Sequence, residues 1–386
     1  MREGWTYKKL GEVCDKSQNI NWNKVSEDKQ YTYIDLSSVD RECLSVINPQ
    51  IINKTNAPSR AKQIVETGDV IFATTRPTLR RTCVIGDDYN GQICSTGFCV
   101  LRPQKQVLAK WIFFNLQYDG FYSYIEPLQT GANYPAVTDS VVKDYNIPIP
   151  SLSEQLSIVA ELDKINELIS LKKAQLSDLD ALAQSIFYDM FGDPIENEKG
   201  WEVKKLGEVG IIGDGLHGTP QYDDNGDCYF INGNNIENGN IIITKATKRV
   251  NEIEKVKYYI EFTSNTLLVS INGTLGKVAF YNNENIILGK SACYIILNTD
   301  INKTFIYNIL KSRFFLDYMN NEYTGSTIKN ISLKSMRNLP IPIPPLSLQQ
   351  DFAKRIELIE QQKAQISSTI KDLETLLASR MQYWFD

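Results

Sequence analysis

The feature that most constrains this chain is a stripe of apolar residues that occurs twice, at a constant offset of 194 residues. After Ile147-Pro148-Ile149-Pro150 the first stripe runs Ile158, Leu162, Ile165, Ile169, Leu176, Leu179, Ala183, Ile186 and Met190, with Lys172 in its slot. The steps alternate between four and three, which is the seam of a coiled coil. Ile341-Pro342-Ile343-Pro344 opens the second stripe. There Phe352, Ile356, Ile359, Ile366, Ile370, Leu373, Leu377 and Trp384 keep the same phase, interrupted by Lys363 and Arg380. One such stripe is more often a helix facing a core. Two in one phase, each preceded by Pro-Ile-Pro, are a duplicated device. The three cationic slots either specify the register of a pairing or reach out to solvent.

The expected helix ends are marked. Ser151 with Glu154 and Ser347 with Gln350 fit a capping box, and the prolines upstream cannot continue a helix backwards. Gly192 and Pro194 close the first helix. Forty residues give roughly 60 Å of helix. The first helix hands the chain to whatever follows it, so a pairing of the two seams requires the second to run antiparallel. The expected shape is a rod with a globular domain near each end.

The duplication extends beyond the helices. GWTYKKLGEV (4–13) and GWEVKKLGEV (200–209) share eight of ten residues. GDVIFATTRPTLRRTCVI (68–85) lies over SNTLLVSINGTLGKVAFY (264–281), and TGANYPAVTDSVVKDYNIPIP (130–150) over TGSTIKNISLKSMRNLPIPIP (324–344). A repeat near 195 residues is a whole domain plus a helix, not a solenoid unit. The boundaries follow: a first domain at 1–150, a helix at 151–193, a second domain at 194–345 and a helix at 346–386. Strands are expected at Tyr31 to Leu36, Asp69 to Thr74 and Cys94 to Leu101, with counterparts at Tyr229 to Asn232, Thr266 to Ile271 and Ala292 to Leu297. Helical stretches follow at Trp111 to Tyr124 and Phe305 to Met319. The fold class is therefore α+β: two pseudo-symmetric, β-rich α/β domains separated by two long helices that pair as an antiparallel coiled coil. Trp5 and Trp201, in matching positions, are expected to anchor the first strand of each domain.

Composition narrows the function. The chain has no stretch approaching 18 apolar residues, and Met1-Arg2-Glu3-Gly4-Trp5 has no apolar leader, so neither membrane insertion nor export is expected. Seven cysteines without a Cys-x-x-Cys pair, beside a single histidine, argue against a zinc site and suit reduced thiols in a cytoplasm. The net charge of −5 resides in the first helix, with 3 basic and 8 acidic residues, so both domains are left balanced. That acidic face suits either a docking partner or plain solvation. Gly289-Lys290-Ser291 is not a phosphate-binding loop, because Glu284 stands where the first glycine belongs. No Gly-x-Gly-x-x-Gly follows a strand, no Asn/Asp-Pro-Pro-aromatic tetrapeptide of an amino-methyltransferase occurs, and no nucleophile is partnered. No catalytic residue and no metal ligand is assigned.

The two halves agree in their frame and differ at 14–67 and 210–263. One scaffold carrying two surfaces at fixed spacing suits an extended ligand of regular geometry, and duplex DNA repeats about every 34 Å. The candidate contacts are clusters. In the first half Thr74, Thr75, Arg76, Thr78, Arg80 and Arg81 follow a strand directly. Arginine forks bind guanine edges or phosphates, and threonine adds hydrogen bonds and methyl contacts. The aligned loop of the second half offers Asn272, Thr274 and Lys277 among glycines. Lys245, Lys248 and Arg249 form a further basic cluster, with Lys255 and Lys257 nearby. His217 and Thr219 sit in the Gly-rich DGLHGTP stretch (214–220), where a lone histidine is structural or a base contact rather than a catalyst. For each cluster the bland alternative is a solvated loop.

The order of these motifs resembles the specificity subunits of Type I restriction–modification systems across the whole chain. The two GW..KKLGEV starts, SINGTLGKV, LPIPIPPLSLQQ before a long helix, and DGLHGTP carry the resemblance. It implies a sequence-specific DNA-binding subunit without catalysis of its own. It implies two target-recognition domains, each reading one half of a split, asymmetric DNA target, with the helices as a ruler for the gap. The implied partners are double-stranded DNA, two modification subunits that bind S-adenosylmethionine and methylate adenine N6, and restriction subunits that use ATP and Mg. No cofactor is implied for this chain. In the first half TTRPTLRR departs from the Gly-rich SINGTLGK form. The alternative from another class is a two-headed protein-interaction scaffold without DNA binding, and a nuclease is a distant third.

Overall fold

The computed structural model describes residues 4–273, 275–322 and 330–386. It divides into two compact units, Met1–Gln175 with Ile366–Asp386, and Leu176–Gln365. Each unit thus holds one β-rich domain, part of the first long helix and part of the second.

In the first unit the domain is closed at its own ends. Thr6–Lys9 pairs antiparallel with Asn146–Ile149, Thr6 opposite Ile149 and Lys9 opposite Asn146. The Pro-Ile-Pro lead-in is therefore a strand, and a two-stranded ribbon tolerates Pro148 because its outer edges need no N–H donor. A four-stranded antiparallel sheet follows in the order Cys14–Asp15, Phe98–Pro103, Val70–Ala73, Thr82–Val84. A five-stranded sheet runs Gln18–Asn19, Ala61–Ile64, Ile93–Ser95, Tyr31–Ile34, Gln50–Ile52. Within it Tyr31–Ile34 and Ile93–Ser95 are parallel. Cys94 to Leu101, expected as one strand, is two strands in different sheets, because the chain turns at Thr96-Gly97. Gly97 is packed against Leu36 there, where a Cβ would sit 3.2 Å from its side chain. The helical stretch is likewise two helices, Ala109–Gln117 and Asp119–Ile125, broken by the extended Tyr118.

The second unit repeats this frame. Glu202–Lys205 pairs with Pro340–Ile343. The four-stranded sheet runs Gly210–Asp214, Ala292–Leu297, Thr266–Ser270, Val278–Phe280. A three-stranded sheet contains Arg249–Val250, Cys228–Ile231 and Ile286–Leu288, the last two parallel. Its helical hairpin, Lys303–Lys311 and Arg313–Glu322, breaks at the extended Ser312.

The long helices span Leu152–Phe191 and Leu346–Phe385, 40 residues each. They pair antiparallel in both units. In the first, Arg380 and Trp384 bond to Glu161, and Lys173 meets Glu374 at 3.2 Å. In the second, Lys363 Nζ lies 2.8 Å from Asp180, and Phe352 packs against Phe187 and Phe191. Two of the three cationic seam positions thus form cross-helix pairs, whereas Lys172 bonds Gln175 on its own helix. Ile158, Leu162, Ile165, Ile169, Phe352, Ile356, Ile359 and Ile370 are buried. Leu176, Leu179, Ile186, Ile366, Leu373 and Leu377 are half-buried, since two helices alone cover only one side of each other. Among the described residues no helix is long and apolar enough to cross a membrane.

Each helix end docks into a domain core through residues one step off the seam. Phe187 and Phe191 enter the core formed by Leu206, Val269 and Phe305. Met381 and Phe385 enter that of Leu10, Phe72 and Trp111. Trp201 Nε1 donates to Phe191 O at 2.9 Å, and Trp5 stacks on Trp384. The duplicated tryptophans hold helix ends against their domains. No cysteine is paired: Cys83, Cys94, Cys99, Cys228 and Cys293 are buried, Cys14 is half-buried and Cys43 is exposed, and burial pushes Cys83 and Cys293 up to about 12.

The starts of the long helices are only partly as expected. Ser151 and Glu154 form the capping box, Ser151 N donating to Glu154 Oε2 at 3.0 Å and Glu154 N to Ser151 Oγ at 3.3 Å. Ser347 and Gln350 do not, because the second helix already begins at Leu346 and Pro345 takes the position of Ser151. The device common to the two helix starts is a glutamine with no exposed surface, Gln155 and Gln349. Gln155 Nε2 donates to Pro150 O and Gln106 O, and its Oε1 accepts from Leu108 N. Gln349 Nε2 donates to Pro344 O, and its Oε1 accepts from Asn302 N.

The pair across the first unit's seam carries a pH dependence. Its hydrogen bond to Arg380 holds the Glu161 carboxyl below the ordinary 4.5, against partial burial. A depressed carboxylate contributes stability above its unfolded value and loses it as pH falls through the folded one. The full chain is expected to lose thermal stability as pH falls from the ordinary 4.5 through the lower folded value, and Glu161→Gln to remove part of that dependence. An identical Tm-versus-pH curve for wild type and variant would show that the pair contributes nothing.

Candidate nucleic-acid interface

The first candidate loop joins the antiparallel strands Val70–Ala73 and Thr82–Val84. Its residues are not equivalent. Thr74 is buried and donates through Oγ1 to Gly97 O at 2.9 Å, so it holds the loop rather than facing solvent. Thr75 bridges to Ala136. Arg76 is exposed, takes a left-handed φ of +49, and donates its N–H to Pro135 O. Its guanidinium lies 4.8 Å from the exposed Tyr134 ring. A single 3-10 turn, Pro77–Leu79, carries the exposed Thr78 and ends at Arg80, again left-handed at φ +56. Arginine in this conformation costs roughly 1–2 kcal/mol. The side chain offsets it by an ion pair to Asp119 and by lying 4.1 Å from the Tyr122 ring. Arg80 is therefore fastened to the helical hairpin. Arg81 is half-buried, and its Nε has no hydrogen-bond partner among the described residues.

The second loop has the same seat and different chemistry. Gly273 and Gly276 supply φ of +79 and +78, and Gly276 stands where the first loop has Arg80. A Cβ on Gly276 would lie 2.5 Å from Met319 Cε, so space and φ both require glycine. Asn272 bridges to Asn330. Lys277 is half-buried at the start of Val278–Phe280, and its N–H donates to Ser270 Oγ at 3.0 Å. Thr274 lies outside the described residues.

The remaining candidates fall around the second domain's three-stranded sheet and the loop beside it. Lys245 and Lys248 are exposed and Arg249 is half-buried. Lys248 Nζ lies 5.7 Å from the Tyr222 ring, and Arg249 lies 5.0 Å from that of Tyr229. Lys255 and Lys257 are paired with Glu252 and Glu254 on their own short helix. His217 is exposed with Nε2 2.6 Å from Asp214, and Thr219 is exposed beside it. Gly289 and Ser291 are packing residues: a Cβ on Gly289 would lie 2.2 Å from Asn232 Oδ1, and Ser291 Oγ accepts from Gly233 N.

The structure adds a cluster in the first domain that motif reading missed. Lys29 Nζ lies 4.9 Å from the Tyr31 ring, which packs edge-on against Trp22. Tyr31–Ile34 is the counterpart of Cys228–Ile231, since each lies parallel to the corresponding strand of its sheet. Both divergent segments therefore present interleaved cations and aromatic rings, a combination suited to phosphates and base faces. The signal was composition within 14–67, where no single motif stands out. Among the described residues no three His, Cys, Asp or Glu side chains gather as a metal site would need.

Each unit thus carries one copy of a common frame with its own cluster of cations and aromatic rings. Residues 2–181 and 198–375 each match the Type I restriction modification DNA specificity domain. The chain belongs to this family, the specificity subunits of Type I restriction–modification systems, and specificity subunits are non-catalytic. It is 25% identical over 286 residues to the Type I restriction enzyme MjaIX specificity subunit of Methanocaldococcus jannaschii, covering 68% of this chain and 64% of that one. It is 26% identical over 295 residues to the StySPI specificity subunit of Salmonella potsdam, covering 68% and 61%. The chain thus spans a little under two thirds of the length of these relatives. A solved chain from work on complex assembly and conformational transition of the type I R-M system superposes with a TM-score of 0.61 at 26% identity. That match covers 99% of this chain and 97% of that one.

Proposed function

We propose that this chain reads a split, asymmetric sequence in double-stranded DNA, one domain per half-site, with the paired helices setting the gap. The observation that carries this reading is the combination of a repeated frame with two unlike cation–aromatic surfaces, around Trp22, Lys29 and Tyr31 and around Tyr222, Tyr229, Lys248 and Arg249. Two unlike surfaces on one frame suit two unlike half-sites. His217, Thr219 and Lys245 lie in the same divergent part of the second domain and belong to its reading surface.

In this reading the chemistry comes from partners. Two modification subunits with S-adenosylmethionine would methylate adenine N6, and restriction subunits with ATP and Mg would cleave. A methylated adenine must leave the base stack, so this chain's task is to hold register while a partner flips the base. The test is co-expression with a modification subunit of a Type I system, followed by sequencing of N6-methyladenine in host DNA. A bipartite, asymmetric motif that vanishes on deletion of this gene is the expected result. A stable complex with no motif would favour the protein-interaction scaffold.

A further inference from the structure

Residues shared by two domains that read different sequences are poorly placed to tell those sequences apart. The loops 74–81 and 270–277 are shared in this sense. Both join the last two strands of the four-stranded sheet, and both bridge to the segment after the hairpin, Thr75 to Ala136 and Asn272 to Asn330. Both rest on the second helix of that hairpin, one through Arg80 on Asp119 and Tyr122, the other through Gly276 beneath Leu316 and Met319. The cation–aromatic clusters lie instead in the segments where the repeats differ.

What any two half-sites have in common is the sugar–phosphate backbone, and contacts to it position a protein without reading sequence. Both loops end on a cation at the same place, Arg81 and Lys277. Arg81 and Lys277 are both half-buried at that place. Arg76 adds an exposed guanidinium propped on Tyr134. Arg80, fastened to the hairpin, is the loop's anchor.

We infer that the two loops are phosphate clamps: Arg76 and Arg81 in the first domain and Lys277 in the second grip the DNA backbone, and base reading falls to the divergent surfaces. This rests on the split-target reading and assigns the division of labour within it. The test uses the full chain co-purified with its co-expressed methyltransferase. It compares Arg76→Gln, Arg81→Gln and Lys277→Gln with the charge-keeping Arg76→Lys, Arg81→Lys and Lys277→Arg. The probes are a duplex bearing the methylated motif and a scrambled duplex of equal length.

Each glutamine variant is expected to weaken both duplexes by the same factor. It should also lower the slope of log affinity against log salt by about 1, and leave the methylated motif unchanged in vivo. The charge-keeping variants should restore the slope. Relaxation of one base position in the motif would overturn the clamp and make that residue a base reader. Unchanged affinity with loss of the methyltransferase from the complex would overturn it in favour of a protein contact. A wild-type chain that yields no motif removes the split-target reading itself, and the clamp with it.

Discussion

Gln155→Leu is expected to destabilise the first unit by roughly 3–5 kcal/mol, the lower part of the range of about 1–3 kcal/mol for each of three groups left unpaired, since two of the three bonds are only part-buried. The change is close to isosteric, so packing is nearly kept and the loss is polar. Leu108 N, Gln106 O and Pro150 O all lose the partner that Gln155 supplies. These three groups tie the start of the first long helix to the loop before Ala109–Gln117 and to the strand end that precedes the helix. Gln349→Leu strips two groups, Asn302 N and Pro344 O, and should cost the second unit about 2–4 kcal/mol on the same scale. Denaturant unfolding of the full chain by tryptophan emission measures this. Trp5, Trp22, Trp111 and Trp384 report on the first unit and Trp201 on the second. A shift below about 1 kcal/mol for Gln155→Leu would mean that water or a backbone rearrangement replaces the side chain.

The second large effect is on specificity. Exchanging residues 1–150 for those of a relative with another target is expected to replace one half of the methylated motif and leave the other intact. The domain is suited to exchange because its terminal strands pair with each other. The structure adds a condition. Met381, Trp384 and Phe385 pack on this domain, and Arg380 bonds Glu161 beside it. A chimera that also carries the relative's counterpart of residues 376–386 should fold as well as the parent. One that carries 1–150 alone should change the motif identically but unfold at lower denaturant. Each mismatched base pair costs about 1–3 kcal/mol, so recognition of the original half-site should disappear outright. Alteration of both halves by either chimera would refute independent reading.

These expectations differ in where they came from. The pairing helices and the duplicated frame were legible because both are periodic in the chain itself. The seam recurs every three or four residues, and the repeat at a constant offset. Arg380 and Lys363 were visible as interruptions of the seam, but only the structure shows their partners on the other helix, Glu161 and Asp180. The split of Cys94 to Leu101 into two strands was not legible, because Leu36, from another strand's end, decides that the chain turns at Gly97.

The candidate loop shows the same limit more sharply. Thr74 to Arg81 read as one basic, hydroxyl-rich cluster. Gly97 draws Thr74 inward, Asp119 and Tyr122 draw Arg80 against the hairpin, and Tyr134 props Arg76 outward. By itself the sequence determined the coiled-coil seam, the doubled domain and the basic character of its loops, since periodicity, repetition and charge are properties of the chain. Only the tertiary structure decided which cations face solvent and which buried glutamines hold the helix starts, because partners distant in the chain set each side chain's direction.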